Sequence, residues 1–160
     1  MEWIKEDDTS WNNCKRMMFE SSDVKGAFSL PEKESDNIEE NGYWWILTDG
    51  KEIVGYGWIT VGKDDHEISL VIKEGKRRSG LGEIILDNLV KEAENLGAQR
   101  IVALVKWCNL NPLPAIKLLY KKEFKMIYHG AEKGLEYVVN NLSKFQRAEV
   151  DMFFVRSSQK

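Results

Sequence analysis

Apolar and polar positions change period along the chain, and the changes divide it into elements. Tyr43-Trp44-Trp45-Ile46-Leu47 and Glu52-Ile53-Val54-Gly55-Tyr56-Gly57-Trp58-Ile59 are runs rich in aromatic and β-branched residues on either side of Asp49-Gly50. Such runs around Asp-Gly predict a hairpin over residues 42–63 with a tight type I′ turn. Gly55 and Gly57 share one face of the second run. There they either relieve crowding against a helix layer or open a bulge for a ligand. After a turn at residues 63–66, Glu67 leads into a third strand-like run, Ile68-Ser69-Leu70-Val71-Ile72. The period then switches: Leu81, Ile84, Ile85, Leu89, Val90, Ala93 and Leu96 recur at helical spacing, and Gly97 follows where a C-terminal cap is expected.

The flanks carry weaker signals. Residues 1–5 suit a short strand. Asp7, Asp8, Thr9 and Ser10 are N-cap candidates for a helix starting near Trp11, with Trp11, Cys14, Met17 and Met18 as its apolar face. A short helix over 24–30, stopped by Pro31, precedes an acidic loop at 32–41, read as solvated rather than as a rim for cations. Downstream the pattern predicts an interior strand at 100–106, a loop at 107–112, and a helix opened by Pro112 and Pro114 and running to about Lys122. A strand at 124–128, a break at 130–134, a helix at 135–145 and a strand at 150–155 follow. Strands and helices alternate without repeats or a linker. The class is therefore α/β (α+β), one domain over 1–160 built on a mixed sheet flanked by helices.

Composition changes the picture mainly by exclusion. The 160 residues are 42% hydrophobic and 31% charged with a net charge of −3, which gives no electrostatic case for nucleic acid. No apolar run approaches a membrane span, and the N-terminal sequence does not read as a signal peptide. Cys14 and Cys108 form no metal motif, so no metal is expected and a reduced, cytoplasmic location is.

The loop between the third strand and the long helix carries the chemistry. Arg77-Arg78-Ser79-Gly80-Leu81-Gly82 leads straight into the helix N-terminus, where unpaired amides and about half a positive charge favour an oxyanion. Glycine lets a phosphate approach the backbone, although a tight turn would need glycine as well. Gly82 is followed by Glu83 and Ile84, not Lys and Ser or Thr, so this is not a P-loop; Ile85 stands where a dinucleotide fingerprint needs a small residue.

This hexapeptide resembles the Q/R-x-x-G-x-G/A signature of the GNAT superfamily of acyl-CoA-dependent N-acetyltransferases. The segment from Asn111 through Ala115, Leu119 and Tyr120 to Phe124 is similar to the family's Asn, Ala, Leu-Tyr and Gly-Phe segment. The resemblance covers roughly residues 42–128. It implies a mixed, mostly antiparallel sheet in which the central strand and the next splay apart around acetyl-CoA. It further implies that backbone groups of Leu70, Val71 and Ile72 pair with the pantetheine arm and that amides of Arg77, Arg78, Ser79, Gly80, Leu81 and Gly82 hold the pyrophosphate. Asn111 would contact the cofactor, with Asn109 as the alternative. The expected partners are acetyl-CoA and an amine acceptor, a small molecule or a protein amine; the oligomeric state is open, a homodimer included.

Direct attack by an amine needs a base, and Glu67 is the candidate, acting directly or through water. A carboxylate near pKa 4.3 works best as a base when raised towards ~6–7. Its alternative role is a solvent-facing strand residue. His66 is the runner-up, expected on the opposite face and exposed in the turn. The resemblance places a tyrosine at the leaving thiolate. Matching Leu119-Tyr120 to the family's pair makes Tyr120 that acid, whereas counting without gaps from Ala115 or back from Phe124 puts Leu119 there. Trp44, Trp45 and Trp58 are read as sheet packing rather than as a cation site. The alternative function is a non-catalytic acyl-CoA-binding or interaction domain on the same fold; a phosphate-binding fold unrelated to CoA is the third.

Overall fold

The computed structural model describes residues 1–7, 11–20, 42–77 and 79–157. The expected helix at 24–30, the acidic loop at 32–41, the cap candidates Asp8, Thr9 and Ser10, and Arg78 lie outside them. The elements in order are β1 (Glu2–Lys5), α1 (Asn13–Phe19), β2 (Gly42–Asp49), β3 (Glu52–Val61), β4 (Asp65–Ile72), α2 (Leu81–Asn95), β5 (Arg100–Val105), α3 (Leu113–Lys121), β6 (Lys125–Tyr128), β7 (Ala131–Lys133), α4 (Leu135–Arg147) and β8 (Met152–Ser157). The strands form one sheet in the order β1-β2-β3-β4-β5-β8-β6-β7. β4 and β5 run parallel; the neighbouring pairs on either side are antiparallel.

Strand alternation sorts side chains onto two faces. Ile68 and Ile72 of β4 join Ile85, Leu89 and Ala93 of α2 in the main core, which Ile116 and Leu119 of α3 and Val138 and Phe145 of α4 extend. Val71 joins Trp11, Met18, Phe19, Trp44, Tyr56 and Trp58 in a second cluster under α1. Trp44 stacks on Trp58 with centroids 4.4 Å apart, and Trp45, on the other face, stacks on Trp3 at 5.9 Å.

Gly55 and Gly57 answer to the helix layer. A Cβ on Gly55 would lie 2.6 Å from Ile85 Cδ1 and 2.9 Å from the Val71 carbonyl oxygen, and one on Gly57 would lie 3.0 Å from Leu89 Cδ2. Both glycines let α2 sit close on the sheet. At its far end α2 stops in a Schellman arrangement. The Ala98 amide bonds the Ala93 carbonyl and the Gly97 amide bonds that of Glu94, with Gly97 at φ 87°.

Some local expectations need correction. β4 begins at Asp65, so His66 is a strand residue and buried rather than exposed. In the hairpin, Asp49 pairs with Glu52, so Gly50 and Lys51 form the turn; φ is positive at Gly50 but not at Lys51, which is not the I′ pattern. α1 is capped by Asn12 and buries Lys15, Met18 and Phe19, while Cys14 and Met17 are exposed. The break at 130–134 contains β7, and Ile84 faces outward while Leu86 is buried.

Replacing Gly55 with Ala is expected to destabilise the protein by about 1–3 kcal/mol through overpacking against α2. The urea midpoint should fall at unchanged slope. Wild-type stability would mean that α2 is not held by this close approach.

Candidate functional site

The parallel pair β4–β5 is short-lived. Asp65 pairs with Arg100, His66 with Ile101 and Glu67 with Val102, and pairing stops there. β4 continues to Ile72 and β5 to Val105, so the two strands form a fork whose closed end is at Asp65 and Arg100. The Arg100 guanidinium donates to both Asp65 carboxylate oxygens at 2.7 Å, fixing the register there. The open part of the fork is a cavity of about 140 Å³ lined by Ile68, Ser69 and Leu70 from β4, Ala103, Leu104 and Val105 from β5, Leu86 from α2, Ala115, Leu118 and Leu119 from α3, and Lys106 and Asn109.

Strand geometry decides which backbone groups reach the gap. The Val71 carbonyl oxygen faces β3, as its 2.9 Å approach to the Cβ position of Gly55 requires. Backbone groups alternate along a strand, so Leu70 and Ile72 turn their peptide groups to the open edge and Val71 does not. This corrects the expectation that all three are available there. The Ile72 carbonyl already accepts from Arg77 Nη2 at 2.7 Å. Arg77 is therefore a strap on the end of β4, and burial pulls its guanidinium below the usual range.

The glycine loop has two separate causes. Gly80 sits at φ 84° with open space where a Cβ would be, so backbone conformation, not close approach, requires it. Gly82 faces inward: its Cβ would lie 3.3 Å from Leu118 Cδ2. Gly80 stands at the N-cap, and among the described residues no side chain caps the N-terminus of α2, so its first amides are available to an oxyanion. Ser79 is exposed and donates its hydroxyl to the Lys76 carbonyl; the Leu81 side chain is in the core. Across the seam beside this terminus, Glu83 pairs with Lys121 at 2.8 Å and Lys122 at 2.9 Å, and Lys122 reaches Asp87 at 2.9 Å. These lysines hold the Glu83 carboxyl down at about 2.

Glu67 stands at the fork, half-buried, on the α1 side of the sheet that it shares with Val71. Tyr120 is elsewhere. Its hydroxyl donates to the Lys133 carbonyl at 2.6 Å and accepts from the Met126 amide at 3.2 Å, and its ring meets Phe154 edge-on. Leu119 lines the cavity, and Tyr120 is not among the residues that line it. Asn109 likewise lines it, while Asn111 is exposed and donates its amide to Asn109 Oδ1. Lys106 was not singled out by the sequence; its only signal is its position one residue beyond β5. Among the described residues no cluster of His, Cys, Asp and Glu could hold a metal, and no helix is long and apolar enough to cross a membrane.

Two outcomes follow from this geometry. Tyr120→Phe should cost about 1 kcal/mol, because the Lys133 carbonyl and Met126 amide lose a shared partner, and thermal melting will read it. Glu83 has its pKa lowered from 4.5 to about 2, so its contribution is complete above 4.5 and lost as pH falls towards 2. The stability difference between wild type and Glu83→Gln should therefore be constant near neutrality and shrink over that acid window. A pH-independent difference would show that the pair does not act through charge.

The chain matches the model of the acetyltransferase (GNAT) family over residues 7–124. No curated protein matches the sequence. Among solved structures, the ribosomal-protein-S18-alanine N-acetyltransferase of Escherichia coli superposes with a TM-score of 0.62 at 15% identity, covering 99% of this chain and 96% of that one. A Salmonella typhimurium structure with its cofactor acetyl-CoA gives 0.55 at 17% identity over 74% of this chain, which spans 66% of that protein's length. A Campylobacter jejuni N-acetyltransferase in complex with acetyl coenzyme A gives 0.53 at 14% identity, covering 76% and 71% of the two chains. At these identities the superpositions speak for the fold alone. The family match spans most of the sequence, and on that match the chain belongs to the GNAT acetyltransferase family.

Proposed function

We propose that this chain, acting as one domain in a reduced cytoplasmic compartment, transfers the acetyl group of acetyl-CoA to a primary amine by direct attack. The observation that carries the reading is the fork: β4 loses β5 after Glu67 while an apolar cavity opens beside its free edge. An extended polar arm laid along that edge would satisfy backbone groups that otherwise have no strand partner. Leu70 is the residue best placed to pair with it; Ile72 is partly engaged by Arg77. The uncapped N-terminus of α2, with the amides of residues 79–82, suits the pyrophosphate. Asn109, rather than Asn111, is the asparagine at the cavity. The neighbouring structures that carry acetyl-CoA, and those named N-acetyltransferases, support the donor and the amine acceptor respectively.

Acetyl-CoA supplies the activated acyl thioester. Glu67, at the fork on the α1 face, takes the proton from the attacking amine, directly or through water, while a β4 backbone amide on the open edge polarises the thioester carbonyl. Tyr120, whose hydroxyl is engaged by the Lys133 carbonyl and the Met126 amide, is given no role in this reading. A second reading, a non-catalytic acyl-CoA-binding domain, draws on Leu118 and Leu119 lining the gap where the family resemblance leads one to expect a tyrosine.

Acetyl-CoA at one hundred times its dissociation constant should stabilise the protein by about 2.7 kcal/mol. An amine panel followed by free-CoA release should then reveal an acceptor class, and Glu67→Gln should lower its turnover ~10²–10⁴-fold, most on the acidic limb. Binding without release across the panel would favour the non-catalytic domain, and no stabilisation by acetyl-CoA or CoA would remove both readings.

A further inference from the structure

Beside Glu67 the α1 face of the sheet carries exposed apolar side chains. Among the described residues, the cluster under α1 takes its strand residues from β2, β3 and β4, while α2, α3 and α4 pack on the other face, where Ala103, Val105, Met152 and Phe154 lie in the main core. The alternate residues of β5 and β8, Val102 and Leu104, Phe153 and Val155, therefore belong to the α1 face. Register sets Val102 beside Glu67, Val155 beside Val102, and Phe153 beside Leu104. Leu104 is 41% and Phe153 38% exposed, and side chains directly opposite on one face of an antiparallel pair are in reach of each other. Trp107 and Leu110, in the loop after β5, are exposed as well. The Trp107 amide donates to Asp151 Oδ1 at 2.9 Å, which holds that loop beside the start of β8. An apolar patch of this kind marks a binding surface more often than a bare one, and this one starts at the residue read as the base.

We propose that the patch is the acceptor subsite and that the acceptor is a small monoamine with an apolar alkyl or aryl body. The inference rests on the acyltransferase reading and deepens it. Leu104 stands two residues along β5 from Val102, about 7 Å at the rise of a strand, so an amine at Glu67 with two or three carbons behind it lays its body on Leu104 and Phe153. A peptide does not suit this surface. β5 and β8 pair with each other from Arg100 and Ser157 to Val105 and Met152, and the edge inside the fork is where acetyl-CoA lies, so a peptide's amides would go unpaired against apolar side chains. A second ammonium meets the same obstacle, because residues 102, 104, 153 and 155 are all apolar. In the transfer the amine nitrogen forms the C–N bond as the C–S bond breaks and its electron pair passes to sulfur. The proton from nitrogen leaves through Glu67 to water, and the thiolate takes one from water.

Release of free CoA at saturating acetyl-CoA tests the inference with 2-phenylethylamine and isoamylamine as apolar monoamines, ethanolamine and putrescine as polar ones, and a tripeptide with a free N-terminal phenylalanine. For wild type, kcat/KM for 2-phenylethylamine should exceed that for ethanolamine and putrescine at least tenfold, the discrimination that a few buried methylene groups give. It should also exceed that for the tripeptide. Phe153→Thr should raise KM for 2-phenylethylamine about tenfold with kcat little changed, and Phe153→Leu should keep most of the affinity. Leu104→Glu should shift the preference towards putrescine, and it serves if the Thr variant does not fold. Calorimetry with acetyl-CoA reports whether each variant is folded. A wild-type preference for ethanolamine, putrescine or the tripeptide, or an unchanged KM in folded Phe153→Thr, overturns the inference alone. So does a wild-type dimer that Phe153→Thr dissociates, since a second copy would then cover the patch. Binding of acetyl-CoA with no release to any amine overturns the acyltransferase reading and this inference with it.

Discussion

The structure depends on one interrupted interaction, the hydrogen bonding between two parallel strands. β4 and β5 are joined at Asp65, His66 and Glu67 and apart beyond them. Buried backbone groups are almost always paired, so an edge opened in the middle of a sheet is a site in waiting. The closed end is held by the bidentate Arg100–Asp65 pair and by the Gln99 and Arg100 amides on the Asp64 carbonyl. An exposed ion pair adds little stability, but two parallel hydrogen bonds fix where the fork begins.

Helix packing keeps the fork open. α2 rests on Gly55 and Gly57 and is thereby drawn against β3 and β4. α3 packs beside it, with Gly82 against Leu118 and the Glu83, Asp87, Lys121 and Lys122 pairs across the seam. β8 enters between β5 and β6 and completes the sheet on the other side. The gap is thus walled by elements distant in sequence, which is why leucines from α2 and α3 meet strand residues around it.

The α1 face shows a different solution to burying charge. Lys15 is fully buried, yet its ammonium lies 2.8 Å from Glu6 and 4.3 Å from the Trp44 ring centroid. A carboxylate and an aromatic face together compensate for lost water. The tryptophans therefore serve packing, and the cation that Trp44 meets is the protein's own. Burial, with Glu6 near, also pushes the Tyr56 phenol upward.

What the sequence determined was whatever repeats locally. The hairpin, the long helix and its glycine stop, the alternating strands and the glycine loop at a helix N-terminus all follow from periodicity and turn chemistry within a few residues. The family signature, being contiguous, was legible in the same way. Tertiary structure decided every question of facing. One residue on a helix is about 100°, so whether Leu119 or Tyr120 meets the gap depends on how α3 docks, and the docking turned Tyr120 to Lys133 and Met126. Whether Gly80 and Gly82 answer to backbone torsion, to Leu118 or to a ligand depends on neighbours more than thirty residues away in the case of Gly82. The burial of His66 and Lys15, the turning of Val71 away from the open edge, and the presence of Lys106 in the cavity wall are likewise set by long-range pairing, which no local pattern encodes.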